Sequence, residues 1–239
     1  MKTIRISLFL LLLLLSVQVR AQKIFLVSVG VTDYPGSSID LTLPAQDARA
    51  MHRLYKTNAN ATSVVLTDSK AQRKRILQEA QKLFSKAGQN DIVVFFFSGH
   101  GYPGGFMAYD ENLTYEDIRR LFSGCRARNK MIFADACFSG DIRENTGGGF
   151  NDPKNDIMLF LSCRSNEVSI ESPQLRNGFF TTCLLRSLKG GADINRDRII
   201  TAKELFRGVS AGVIRLSQSQ QHPVMWGNFN DTMPVMVWK

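Results

Sequence analysis

The apolar residues of this chain follow two different periods. KIFLVSVGV at 23–31, DIVVFFF at 91–97, KMIFAD at 130–135 and DIMLFL at 156–161 are short hydrophobic runs without regular polar alternation. A shorter run of the same kind covers 63–66. Strands covered on both faces read this way, because every side chain is buried whichever way it points. Between the runs, apolar residues recur at helical spacing. Pro44 opens one such segment to Lys56, with Ala48, Met51, Leu54 and Tyr55 on one face, and 70–86 carries Ile76, Leu77, Ala80, Leu83 and Phe84. A third helix is expected near 114–123, two more near 178–189 and 201–216, and a last strand at 233–238. Strands alternating with helices predict an α/β fold with a mainly parallel sheet and right-handed crossovers. The main irregular stretch is 138–155, with Gly147, Gly148 and Gly149 at its centre. A loop of that length inside a compact domain points to function rather than connection.

The first residues read as an export signal. Lys2 and Arg5 precede an apolar block from Leu8 to Leu15, and Val19 and Ala21 occupy the small-residue positions of a cleavage site. Cleavage is expected after Ala21, giving a secreted or periplasmic domain over 22–239, with an uncleaved anchor as the alternative. The apolar block is too short for a stable membrane anchor. The formal net charge is +9, with Lys2, Arg5 and Arg20 ahead of the expected cut. The basic residues are scattered, apart from a cluster at Lys70–Arg75 on a predicted helix, and aromatics do not interleave with them, so nucleic acid is not expected as a partner. Cys125, Cys137, Cys163 and Cys183 show neither a metal-binding spacing nor the density of a disulfide scaffold, and any pairing among Cys125, Cys163 and Cys183 is left open.

Two strand ends carry reactive side chains. FFFSGHG ends at Gly101, just past His100, and MIFADACFSG contains Cys137. In open parallel sheets the chemistry collects at the carboxyl ends of the strands, so imidazole and thiol are expected to face each other. Imidazole near a thiol favours the thiolate, the attacking species, and can later protonate a leaving amine. Backbone N–H groups of Gly101 and Cys137 are candidates to hold an oxyanion. The competing reading of Cys137 is a buried thiol packing as a small hydrophobe.

SGHG followed by DACFSG resembles the metacaspase branch of the caspase-like cysteine peptidases, over about Ile24 to Trp238. The resemblance implies a three-layer α/β/α caspase-like fold with a mainly parallel six-stranded sheet, and a Cys–His dyad of His100 and Cys137. It implies that Asp135, Asp47 in LPAQDA and Ser98 line the pocket for the residue before the cut bond. Two carboxylates in a confined pocket are stable only with a cation between them, and a guanidinium can bridge both. Cleavage after Arg, then Lys, is therefore expected. The family also suggests self-processing in 138–155, at Arg143 or Lys154. Two departures stand out: Phe138 replaces the histidine of many metacaspases, and His100 and Cys137 are only 37 positions apart.

No cofactor is required by this chemistry, although the resemblance leaves calcium open. DINRDRIITAKE, Asp193–Glu204, matches an EF-hand loop at Asp193, Asn195, Asp197 and Glu204, but Arg198 stands where glycine is needed. An Asx-rich turn is the favoured reading. Asp110, Glu116 and Asp117 are a second acidic group, in the region the resemblance aligns with a calcium site of the family. His52 and His222 read as surface or packing residues. The expectation is an exported, monomeric cysteine endopeptidase acting on protein or peptide substrates after basic residues. The alternatives are a non-catalytic binding module of the same fold, or a peptidase of that fold with another specificity.

Overall fold

In a computed structural model of the protein, the structure describes residues 21–36, 38–136, 157–164 and 176–238. Residues 1–20 of the expected leader, Cys137, Arg143 and Lys154 lie outside these residues.

Five runs of apolar sequence become adjacent parallel strands. They are β1 (Ile24–Gly30), β2 (Ala61–Thr67), β3 (Ile92–Ser98), β7 (Asn129–Asp135) and β8 (Ile157–Leu161). β10 (Val224–Gly227) completes a six-stranded sheet of order β10-β8-β7-β3-β1-β2, running antiparallel to β8. β1 and β3 are buried at every position, as unbroken hydrophobic runs require. Three short strands, β4 (Gly101–Tyr102), β5 (Gly105–Met107) and β6 (Asn112–Thr114), form a small antiparallel sheet beyond the end of β3. A two-stranded sheet pairs β9 (Ile199–Thr201) with β11 (Pro234–Val237).

Helices cover both faces. α2 (Arg73–Phe84) and α3 (Tyr115–Ser123) pack on one side through Ile76, Ala80, Leu83, Ile118 and Phe122. On the other side lie α1 (Pro44–Lys56), α4 (Phe179–Arg186) and α5 (Ala202–Leu216). The split follows from strand alternation: in β3, Val93, Phe95 and Phe97 enter the first core, and Ile92, Val94 and Phe96 the second.

The structure shows the expected three-layer fold with a mainly parallel six-stranded sheet, and it corrects three details. The terminal strand does not join the main sheet, because Pro234–Val237 is satisfied by β9. The sixth main-sheet strand is Val224–Gly227, a half-buried four-residue edge whose pattern is too short to mark it in the sequence. The helix expected from Lys70 begins instead at Arg73, after a single 3₁₀ turn at Asp68–Lys70.

Phe160 of β8 joins sheet to helices. Its ring meets Phe180 of α4 at 5.0 Å and Phe206 of α5 at 5.9 Å between centroids. Removing a buried aromatic side chain costs about 3–5 kcal/mol. Phe160→Ala is therefore expected to lower unfolding free energy by about that amount, read from urea denaturation.

Candidate active site

The parallel register between β3 and β7 sets the geometry. Ser98 and Asp135 are paired residues, each the last of its strand. Gly99 N–H then donates to the Asp135 carbonyl at 3.2 Å, which keeps the two strand ends side by side. Asp47 is brought to the same place by the first turn of α1. That turn packs on the end of β1, where a Cβ at Gly30 would fall 2.1 Å from the Pro44 carbonyl oxygen. Only glycine permits so close an approach.

The structure thus gathers three of the sequence-predicted residues, Asp47, Ser98 and Asp135, and all are buried. The Ser98 hydroxyl donates to Asp47 Oδ2 at 3.0 Å. Asn177 Nδ2 donates to Asp47 Oδ1 at 2.7 Å, and Gly178 N–H reaches the same oxygen at 3.3 Å. Asp135 Oδ2 accepts from Thr181 Oγ1 at 2.7 Å and from Thr181 N–H at 3.2 Å. That N–H belongs to the first turn of α4, where helix dipole and free amides favour an anion. Gly178 lies between the acids: a Cβ there would stand 2.7 Å from Asp135 Oδ2 and 3.5 Å from Asp47 Oδ2. Burial, and then the negative charge of Asp135, push the Asp47 carboxyl well above the ordinary range, against the pull of its three donors.

His100 follows two residues after Ser98, half-buried, with Gly101 opening β4 directly beside it. Its Nε2 lies 2.6 Å from the carbonyl oxygen of Ile39. A carbonyl only accepts, so Nε2 carries the hydrogen and Nδ1 is left with the lone pair a base requires. Tyr34 supports the same residue twice. Its ring centroid is 5.1 Å from the imidazole, and its hydroxyl accepts from His100 N–H at 3.0 Å. The hydroxyl donates in turn to the Met107 carbonyl at 3.3 Å. Burial pushes the phenol up to about 12, so it stays a donor at all physiological pH.

Tyr34, Ile39, Asn177, Gly178 and Thr181 were not among the residues singled out from sequence. Asn177-Gly178 ahead of an apolar helix is an N-terminal signal of a helix, and such ends attract anions. The partner acids come from remote parts of the chain, which no local pattern reveals.

The acidic groups elsewhere accept hydrogen bonds from other groups of this chain. Asp193 Oδ1 and Oδ2 accept from the N–H groups of Asp197 and Arg198, and Asp197 Oδ1 from Ile199 N–H. Glu204 closes the capping box of α5 with Thr201. Arg196 and Arg198 hold positive φ within this turn, and their charges oppose a cation. The favoured Asx-turn reading agrees with these bonds. Asp117 is bound by Arg73, and Glu116 by Arg119 and Arg120. No group of three or more potential metal ligands occurs among the described residues. His52 is a packing residue whose ring meets Ser63 Oγ at 2.8 Å. Cys125, Cys163 and Cys183 are buried and not disulfide-bonded.

The caspase-domain family model matches residues 25–233. Caspase-1 of Spodoptera frugiperda superposes with a TM-score of 0.69 at 15% identity, covering 91% of this chain and 90% of its own. A structural-genomics protein of Geobacter sulfurreducens gives 0.67 at 17% identity, covering 91% of this chain and 100% of its own. At such identities these two neighbours speak for the fold alone. No curated protein matches the chain.

Tyr34→Phe removes the hydroxyl and leaves His100 N–H without its acceptor. A loss of about 1–3 kcal/mol in unfolding free energy is expected, the cost of an orphaned buried donor, measured by chemical denaturation.

Proposed function

The chain belongs to the caspase-domain family, a family of cysteine peptidases, and on that basis we propose that it is an exported cysteine endopeptidase cutting after Arg, then Lys. One observation carries the catalytic part of this reading. Ser98 and Asp135 are partners in register, and His100 and Cys137 each follow two residues later along their chains. Equal offsets from paired parallel strands favour an imidazole and a thiol within reach of each other.

In this reading, Nδ1 of His100 takes the Cys137 proton as the thiolate attacks the scissile carbonyl. The imidazolium then returns that proton to the leaving amine, which departs as the acyl-enzyme forms. Water, deprotonated by the same imidazole, hydrolyses the thioester and restores the thiol. The Ile39 carbonyl keeps the ring oriented and stabilises the imidazolium, as a hydrogen-bond acceptor does for a positive donor. Gly101 and Cys137 N–H groups supply the oxyanion contacts.

Specificity for a basic residue is supported by the Asp47–Asp135 pair. Bringing two carboxylates into a dry pocket raises their mutual repulsion, and a guanidinium between them removes it. The residues 138–155, with Arg143 and Lys154, supply the kind of sequence the enzyme would cut in itself. The leader sequence at 1–21 is the basis for export, to the medium or a periplasm.

Purified domain assayed on fluorogenic peptides ending in Arg, Lys, Asp and Asn tests the proposal directly. Turnover after Arg and Lys is expected, and none in the Cys137→Ala variant; equal turnover in both would refute the dyad. Asp135→Ala is expected to cost about 2–5 kcal/mol in kcat/KM for Arg peptides, the scale for truncating one partner of a buried charge pair. If the Ala variant matches the parent, Asp135 is not in the specificity pocket.

The raised Asp47 carboxyl gives a pH signature. In the free protein it stays protonated above the usual carboxylate range, so folding stability falls as pH rises from the unfolded value through the folded one. A bound guanidinium favours the ionised form, so substrate binding releases a proton in that window. KM for Arg peptides is expected to fall with rising pH there, and Asp47→Asn to flatten that dependence in steady-state assays.

A further inference from the structure

A recess lies apart from the paired acids, between α1 and α4. Its volume is about 530 Å³, within the range that accepts a sizeable ligand. Leu54, Leu185 and the half-buried ring of Trp238 give it an apolar floor. The indole N–H donates to the Leu188 carbonyl at 2.9 Å, which fixes the ring in that position. Arg53 and Lys189, both exposed, stand at its rim. Neither forms an ion pair with a described carboxylate.

Two features connect this groove to the pocket. Asp47, Ala50, Leu54 and Thr57 follow one another at helical spacing, so they share one side of α1. From the level of Asp47 to Thr57 the rise is about 15 Å, the span of four or five extended residues. Asn177 closes the near end, lining the groove while its side chain donates to Asp47. Positive charge dominates the far end. His52, on the same helix, is held below its ordinary pKa first by burial and then by the repulsion of Lys56 and Arg53.

We propose that this groove binds an acidic stretch of the same polypeptide whose basic residue occupies the Asp47–Asp135 pocket. The substrate class is then a protein with Arg or Lys flanked by an acidic and apolar segment of four or five residues. Its carboxylates meet Arg53 and Lys189, and one apolar side chain rests on Leu54, Leu185 and Trp238. Charge and shape both argue for this occupant: two unpaired cations attract carboxylates, and an apolar floor selects against a bare polyanion. The inference rests on the peptidase reading for the position of the basic residue, and the groove itself is tested separately.

The experiment uses the Cys137→Ala protein, which cannot turn substrate over, and fluorescence anisotropy at fixed salt. Three labelled peptides are titrated: a short one ending in Arg, the same peptide carrying a Glu- and Leu-containing segment on either side, and the segment alone. The extended peptide is expected to bind about tenfold more tightly than the short one. In Arg53→Glu/Lys189→Glu on the same background that gain should vanish, with the short peptide unaffected and circular dichroism unchanged. Equal affinity of the extended peptide for both proteins would overturn the groove assignment. So would binding of polyphosphate or an oligonucleotide with the same charge-reversal loss and no benefit from the Leu residue. Failure of the short peptide to bind counts against the acid pocket alone, because the isolated segment still reports on Arg53 and Lys189.

Discussion

Mutual repulsion between two carboxylates shut away from water is the constraint around which the top of this molecule is arranged. Left alone, Asp47 and Asp135 would favour water over the protein interior. They are kept in place by donors drawn from two separated parts of the chain: Ser98 at the end of β3, and the segment that enters α4, with Asn177, Gly178 and Thr181. The absence of a side chain at Gly178 is a condition of that arrangement, since a methyl group there would collide with Asp135. Burial beside Asp135 is also what raises the Asp47 carboxyl above the ordinary carboxylate range.

The rest of the fold makes this placement repeatable. The central strands are buried on both faces and paired in register, so their ends are fixed to within a residue. A one-residue slip between β3 and β7 would turn Ser98 or Asp135 to the opposite face. It would also exchange the two hydrophobic cores, which differ in every contributing side chain. Precision at the site is thus a by-product of burying Phe95, Phe96 and Phe97 on their proper sides.

Much of this was legible in the amino-acid order. Buried parallel strands advertise themselves as hydrophobic runs, and α1, with Pro44 at its start and Ala48, Met51, Leu54 and Tyr55 inward, could be read to the residue. Asp47 and Asp135 were singled out through resemblance, and the structure brings them together. The half-buried edge strand at Val224–Gly227 was not, because four residues ending in glycine lack any period. Nor were the donors to Asp47 and Asp135, whose role exists only once α4 is docked against the ends of β3 and β7. Tyr34 and Ile39 belong to the same class: their importance comes from a ring and a carbonyl reaching His100 across sixty or more residues.

That last contact has a consequence for how the molecule tolerates heat. The hydrogen on the His100 ring is assigned by a backbone carbonyl in a stretch without regular structure, while the fold itself is secured by strands and helices. Irregular segments open at lower free-energy cost than buried sheet. Once Ile39 moves away, the ring is free to take the other tautomer or to turn, and Nδ1 no longer holds its lone pair in a set direction. The set orientation of the His100 ring and the integrity of the fold therefore have separate thermal limits, and the first is the lower of the two.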